Sequence, residues 1–150
     1  MDRRIDVLIA DDQVKTRRGL KALLRFTPFI GMIWEAQDGE AAMRVVSEVK
    51  PEVVIMDIRM PVMDGIEATR RIKHTWPEVK VIILTMYPHY EREALAAGAD
   101  CYLVKGDITY SIPDAIQSLF TTEKSNSEPQ QDLQGGSQDA RESRTKSPKN

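Results

Sequence analysis

The sequence predicts a doubly wound α/β fold, a five-stranded parallel sheet covered by helices on both faces. Three observations carry that prediction. Short apolar runs alternate strictly with segments of helical spacing, the pattern of parallel strands joined by helical crossovers. The runs are largely unbroken, as in strands buried on both faces. Runs one, three, four and five end at an acid, a hydroxyl or a lysine, at the edge where open α/β sheets bind ligands. Right-handed crossovers give the strand order 2-1-3-4-5.

The elements follow in order along the chain. Ile5 to Ala10 is a short apolar run ending at Asp11-Asp12, and Val14, Leu20, Leu23 and Leu24 then recur with helical spacing. Gly31 to Ala36 is the second strand candidate. Asp38 is placed to cap a helix whose face is Ala41, Ala42, Val45, Val46 and Val49. Val53 to Met56 runs without alternation into Asp57, after which Pro61 and Asp64-Gly65 punctuate a loop. Ile66, Thr69, Ile72 and Lys73 mark a helix that stops before Pro77. Val79 to Thr85 is the fourth strand, and Tyr87-Pro88-His89-Tyr90 after it reads as a loop. Glu91 to Ala97 is a short helix closed by Gly98. Cys101 to Val104 is the fifth strand, ending at Lys105-Gly106. Ile112, Ala115, Ile116, Leu119 and Phe120 form the last helical face, with Pro113 tolerated in its first turn.

Composition bounds the function. At 150 residues, 41% hydrophobic and 29% charged, the chain is expected to hold one globular domain with an appendage. A net charge of -2 and the lack of a dense basic patch argue against nucleic acid. Cys101 stands alone, so no internal disulfide forms. No apolar run reaches the roughly 18 residues of a membrane span, and Met1 leads directly into a strand-like run rather than a signal peptide. A cytoplasmic location is expected. From about Thr121 onward the chain is polar, with only Leu133 and Ala140 apolar. Such a segment cannot offset roughly 1–2 kcal/mol per residue of ordering entropy, so residues 1–120 are expected to be the domain and 121–150 a disordered tail.

In the strand order 2-1-3-4-5, Asp11, Asp12, Asp57, Thr85 and Lys105 all project from one sheet edge beside the switch point. Taken singly, each has an ordinary reading: a helix cap, a strand-end acid, a strand threonine, a solvated lysine. Their shared level favours a site. Carboxylates about 4 Å apart repel by ~1 kcal/mol per pair in water-like surroundings and ~4 at an effective dielectric near 20. Oxygen ligands without His or Cys point to Mg²⁺ or Mn²⁺ as the balancing cation. Lys105 adds a fixed positive charge and Thr85 a hydrogen-bond donor, which together suit a phosphoryl group placed on a carboxylate.

These motifs carry a family resemblance. Asp11-Asp12, the run Asp57-Ile58-Arg59-Met60-Pro61-Val62-Met63-Asp64-Gly65, Leu84-Thr85 and Gly98 to Lys105 resemble, in order and spacing, the receiver domain of two-component response regulators over residues 5 to about 120. The segments D-I-R-M-P-V-M-D-G-I-E-A-T-R-R-I and Y-L-V-K-G look most like receivers that precede a LuxR-type helix-turn-helix. The resemblance implies a flavodoxin-like fold in which Asp57 accepts a phosphoryl group from a sensor histidine kinase or a phosphotransfer protein. It implies that Asp12 and Asp57 ligate the metal directly, Asp11 mainly through water, and Arg59 through its backbone carbonyl. Lys105 would pair with the phosphoryl oxygens, Thr85 would move to hydrogen-bond them, and Tyr102 would turn inward behind it. Many receivers carry a proline joined by a cis bond after this lysine. Gly106 stands here instead, and a cis bond to it would cost about 2.5–4 kcal/mol.

Two other readings compete. A phosphatase of the haloacid-dehalogenase type wants an acid two residues after its nucleophilic aspartate, where this chain has Arg59. A flavodoxin-like cofactor binder wants a hydroxyl- and glycine-rich phosphate loop after the first strand, where Asp11-Asp12 would repel an anion. A self-modifying switch rather than a turnover enzyme is therefore expected. No helix-turn-helix pattern follows residue 120, so the expected output is a protein partner or a homodimer, without direct contact to nucleic acid or membrane.

Overall fold

The computed structural model describes residues 3–106 and 111–127. Five strands form one parallel sheet in the order β2-β1-β3-β4-β5, with β1 at Ile5–Ala10, β2 at Ile30–Ala36, β3 at Val53–Met56, β4 at Lys80–Thr85 and β5 at Cys101–Val104. The helices are α1 (Val14–Arg25), α2 (Gly39–Val49), α3 (Gly65–Thr75), α4 (Glu91–Ala96) and α5 (Ile112–Ser127). The chain divides into two units, residues 1–115 and 116–150. The first holds the sheet, α1 to α4 and the start of α5; the second is helical through Ser127.

Burial follows the strand order. The interior strand β3 is buried at every residue and β1 and β4 at all but one, whereas the edge strands β2 and β5 are largely half-exposed. Unbroken apolar runs thus sit where both sheet faces are covered. One core cluster joins Leu8, Val54, Met56 and Ile83 from the sheet to Ala42 and Val46 of α2 and Ala68 and Ile72 of α3.

Local chemistry sets the helix ends. Asp38 caps α2 by accepting from the Ala41 N–H at 2.7 Å, and Asp64 caps α3 by accepting from the Glu67 N–H at 2.9 Å. Asp64, expected only as part of a turn, is therefore a capping residue. Gly98 takes φ +111° just past α4, the conformation that favours glycine after a helix.

Several expectations shift at their margins. Strand β4 starts at Lys80 because the Val79 N–H still donates to the Trp76 carbonyl at 3.0 Å, closing the turn before it. Pro88–Tyr90 forms one 3-10 turn leading into α4 rather than an irregular loop. No peptide bond among the described residues is cis, and Gly106 has φ +89°. Helix α5 continues to Ser127, past the expected end of the domain, and the remainder of the expected tail lies outside the described residues.

Cys101 opens β5 half-buried, and burial first, then the Asp100 charge, pushes its thiol above the ordinary range. Thiolate is the reactive form. Alkylation by iodoacetamide at neutral pH should therefore run well below the rate of a free thiol, and should reach that rate once the chain is unfolded in urea.

Candidate functional site

The strand tips reach one level because the sheet ladder continues one residue beyond each strand. The Asp11 N–H donates to the Ala36 carbonyl at 3.0 Å, Asp57 N–H to Ala10 at 2.9 Å, and Lys105 N–H to Thr85 at 2.6 Å. Backbone pairing thus fixes where Asp11, Asp57 and Lys105 leave the sheet. Their side chains then meet. Lys105 Nζ donates to Asp11 Oδ2 at 2.9 Å and to Asp57 Oδ2 at 3.5 Å.

Three carboxylates converge here. Ligand oxygens of Asp11, Asp12 and Asp57 all lie within 4.8 Å of one another. Asp11 is 2% exposed and Asp57 7%, while Asp12 faces solvent, so the cluster has a buried floor and an open lip. The second oxygen of each buried acid is also held: Asp11 Oδ1 accepts from the Gln13 N–H and Asp57 Oδ1 from the Ile58 N–H, both at 2.8 Å. With the acids gathered and only one ammonium between them, the donor set fits a hard divalent cation that prefers oxygen.

Charge and burial pull the pocket in opposite directions. Burial raises the Asp57 carboxyl above its ordinary range. The Lys105 ammonium opposes that rise, the Asp11 charge adds to it, and the Ile58 N–H and Thr85 hydroxyl hold it back. Burial also acts to lower Lys105, but its hydrogen bond to Asp11 and the charges of Asp57 and Asp11 outweigh this and leave it raised. Lys105 is therefore a fixed cation.

The loop from Asp57 to α3 is closely packed. The Gly65 N–H donates to the Ile58 carbonyl at 2.8 Å, and the Thr69 hydroxyl to the Gly65 carbonyl at 2.7 Å. A Cβ on Gly65 would stand 1.8 Å from the Asp57 carbonyl oxygen. Gly39 packs the same loop from α2, donating to the Met63 carbonyl at 3.0 Å. Val62 is held at φ +70°, a region that β-branched residues rarely enter.

On the other side, Thr85 is fully buried and its hydroxyl accepts from the Tyr87 N–H at 3.3 Å. The Tyr102 hydroxyl donates to the Tyr87 carbonyl. A cavity of about 440 Å³ lies between the two sides, lined by Asp12, Gln13, Thr16, Asp57, Arg59, Met86, Tyr87 and Lys105. Thr85 and Tyr102 are absent from that lining. Sequence reasoning named Arg59 for its backbone carbonyl and for standing where a phosphatase would need an acid. Its guanidinium, however, stacks on the Tyr87 ring 5.0 Å from the centroid. The placement of Arg59 two residues past Asp57 and of Tyr87 two past Thr85 was the available signal, but no periodicity pairs two loops.

A doubly wound sheet with an acidic, cation-seeking cluster and one lysine at its switch point defines a class of divalent-ion pocket. Residues 7–117 match the model of the response regulator receiver domain, and the chain belongs to that family. It is 38% identical over 119 residues to the transcriptional regulatory protein LnrK of Bacillus subtilis, an alignment covering 78% of this chain and 54% of LnrK. A LuxR-family two-component response regulator from Aurantimonas superposes with TM-score 0.69 at 30% identity, covering 79% of this chain and 84% of that one. TrrA from Thermotoga maritima, solved in complex with Mg²⁺ and BeF, superposes with TM-score 0.70 at 30% identity, covering 77% and 98%. The chain spans about half the length of the curated relatives it matches. It is thus a receiver domain with an acidic pocket of Asp11, Asp12 and Asp57, in a family whose members are phosphorylation-activated switches rather than turnover enzymes. No helix among the described residues is long and apolar enough to cross a membrane.

Proposed function

We propose that the chain is the phosphoryl-accepting switch of a two-component system, with Asp57 taking the group from the phosphohistidine of a sensor kinase or phosphotransfer protein. The observation that carries this reading is the meeting of three carboxylates with the single Lys105 ammonium at the switch point. Asp57 is held at the buried floor with one oxygen tied to the Ile58 N–H, so its other oxygen is oriented for attack. Lys105 already lies 3.5 Å from that oxygen and balances the charge a phosphoryl group brings. Asp12 and Asp57 would hold Mg²⁺ or Mn²⁺ directly, Asp11 through water and Arg59 by its carbonyl, and the ion would neutralise charge on the transferring group.

Thr85 and Tyr102 read out the change. Thr85 would exchange its bond from the Tyr87 N–H for one to a phosphoryl oxygen, and Tyr102 would give up the Tyr87 carbonyl and turn inward. The altered surface around β4, α4 and β5 would then meet a downstream protein or a second copy of the chain. We place the domain at residues 1–120, with a polar tail at 121–150, in the cytoplasm, without direct contact to nucleic acid or membrane. Turnover as a phosphatase is disfavoured by Arg59, which cannot protonate a leaving group from that position.

The reading is tested by transfer. Acetyl phosphate with Mg²⁺ should add one phosphoryl group per chain by intact mass, and EDTA should prevent it. Uptake unchanged by EDTA would sink the metal-assisted mechanism. Mg²⁺ alone at a hundredfold excess over its Kd should stabilise the fold by about 2.7 kcal/mol. Asp12→Ala should remove most of that stabilisation in a thermal melt.

A further inference from the structure

Asp12, the exposed member of the acidic cluster, makes no side-chain hydrogen bond or ion pair among the described residues. Its aim is therefore left to the main chain, and so to the peptide that joins it to Asp11. The sheet fixes the peptide before that one, where the Asp11 N–H donates to the Ala36 carbonyl at 3.0 Å. The Asp11 carbonyl, in the next peptide, accepts instead from Arg17 Nη1 at 2.6 Å. Arg17 is itself held. Its Nε donates to Glu35 Oε1 at 3.0 Å, and Lys21 Nζ donates to Glu35 Oε2 at 3.0 Å. Only 14% of the Arg17 side chain is exposed. A guanidinium offers five donors in a rigid planar fork, so one side chain can keep a carbonyl and a carboxylate in fixed relation. The Lys21 hydrogen bond holds the Glu35 carboxyl below its ordinary range; burial opposes this and the Arg17 hydrogen bond assists it. Glu35 is thus ionised at neutral pH and anchors Arg17 as a charge.

We propose that Arg17, backed by Glu35, is a positioning residue for the divalent-cation site: through the Asp11 carbonyl it fixes the direction in which Asp12 presents its carboxylate. The inference rests on the acidic cluster being that cation site. Arg17 pairs with none of the three cluster carboxylates among the described residues, so it acts through the backbone alone. Edge strand β2 thereby holds the start of the site twice, by the Ala36 carbonyl and by Glu35 through Arg17. Charge and position predict opposite signs for the loss of Arg17. A cation beside an acidic cluster repels an incoming divalent ion, so removing its charge alone would tighten binding. Removing the brace frees Asp12 to turn away and weakens binding. Partners that orient a metal ligand typically carry about 10- to 100-fold of affinity.

The test measures the Kd of the full chain for Mg²⁺ alone, by isothermal titration calorimetry well below the melting temperature. A thermal melt in EDTA is recorded beside it. In Arg17→Met the Kd should rise roughly tenfold. Arg18→Met removes the same charge from the next residue of α1, which is exposed and forms no ion pair among the described residues. Solvent and salt screen that charge, so its Kd should stay within about twofold of the wild type. Arg17→Lys keeps the charge but gives up the fork, so its Kd should also rise, and it decides the question if Arg17→Met does not fold. An unchanged or tighter Kd in Arg17→Met would overturn the brace, as would a wild-type Kd in Arg17→Lys or equal weakening in Arg18→Met. A lowered melt in EDTA with a wild-type Kd would overturn it too, by making Arg17 a support of the fold alone. A wild type that takes up no Mg²⁺ would instead overturn the cation site on which the brace depends.

Discussion

Asp57→Asn is expected to abolish phosphoryl uptake from acetyl phosphate and Mg²⁺ while raising the melting temperature of the metal-free protein at neutral pH. The first result follows from chemistry, since an amide oxygen is a poor nucleophile and both oxygens of the neighbouring buried acid, Asp11, are already engaged by the Gln13 N–H and Lys105. The second follows from the raised carboxyl of Asp57, pushed up first by burial. A folded-state pKa above the unfolded one means that the native state holds this proton longer. The associated stability is complete below the ordinary carboxylate range and is lost as pH rises through the folded value. At neutral pH the ionised group is therefore a cost that asparagine removes. In buffer containing a chelator, the variant should melt several degrees higher at neutral pH, with the gap closing near about pH 4. Label on the variant at the wild-type level would remove Asp57 as acceptor. A lower melting temperature at neutral pH would show that the Lys105 contact outweighs burial.

The largest stability effect should come from a single methyl group. In Gly65→Ala the new Cβ would meet the Asp57 carbonyl oxygen at 1.8 Å, its carbon at 2.8 Å and Ile58 Cα at 3.0 Å. All three are backbone atoms of the Asp57-Ile58 segment, so neither side can yield without moving Asp57 or α3. We expect a loss of about 3 kcal/mol or more in urea unfolding. Gly19→Ala supplies the contrast. Gly19 lies within α1 with nothing within 4 Å of a new Cβ, and that substitution should stabilise by about 0.5–1 kcal/mol. Equal effects at the two positions would refute the packing account.

Much of this was legible in the sequence, for a physical reason. Burial on both faces demands unbroken apolar runs, so Val53–Met56 and its neighbours announce interior strands, and strict alternation with helices fixes their direction. Parallel strands then bring their ends to one edge, which is why Asp11, Asp12, Asp57, Thr85 and Lys105 could be gathered from spacing alone. What stayed hidden depends on contacts between segments far apart in sequence. The Lys105 bond to Asp11, shorter than its approach to Asp57, comes from side-chain reach across the sheet edge. The Arg59–Tyr87 stack joins two loops whose local sequences carry no common period. Pro88–Tyr90 read as a loop because one 3-10 turn is too short to show periodicity. The end of α5 at Ser127 was not legible, because Thr121 to Ser127 continue no apolar face and are mostly weak helix formers.

The two banks of the acidic pocket differ in kind. On the α3 bank the main chain is wedged: Gly65 leaves no room beside Asp57, and Gly39 clasps Met63. On the β4 bank, Tyr87 is kept in place by a ring stack and single hydrogen bonds at its N–H and carbonyl. Strain introduced at Asp57 meets an unyielding support on the first bank and a compliant one on the second. On the proposed reading of Asp57 as acceptor, that difference would send the signal outward through Thr85 and Tyr87 toward α4 before any partner is bound.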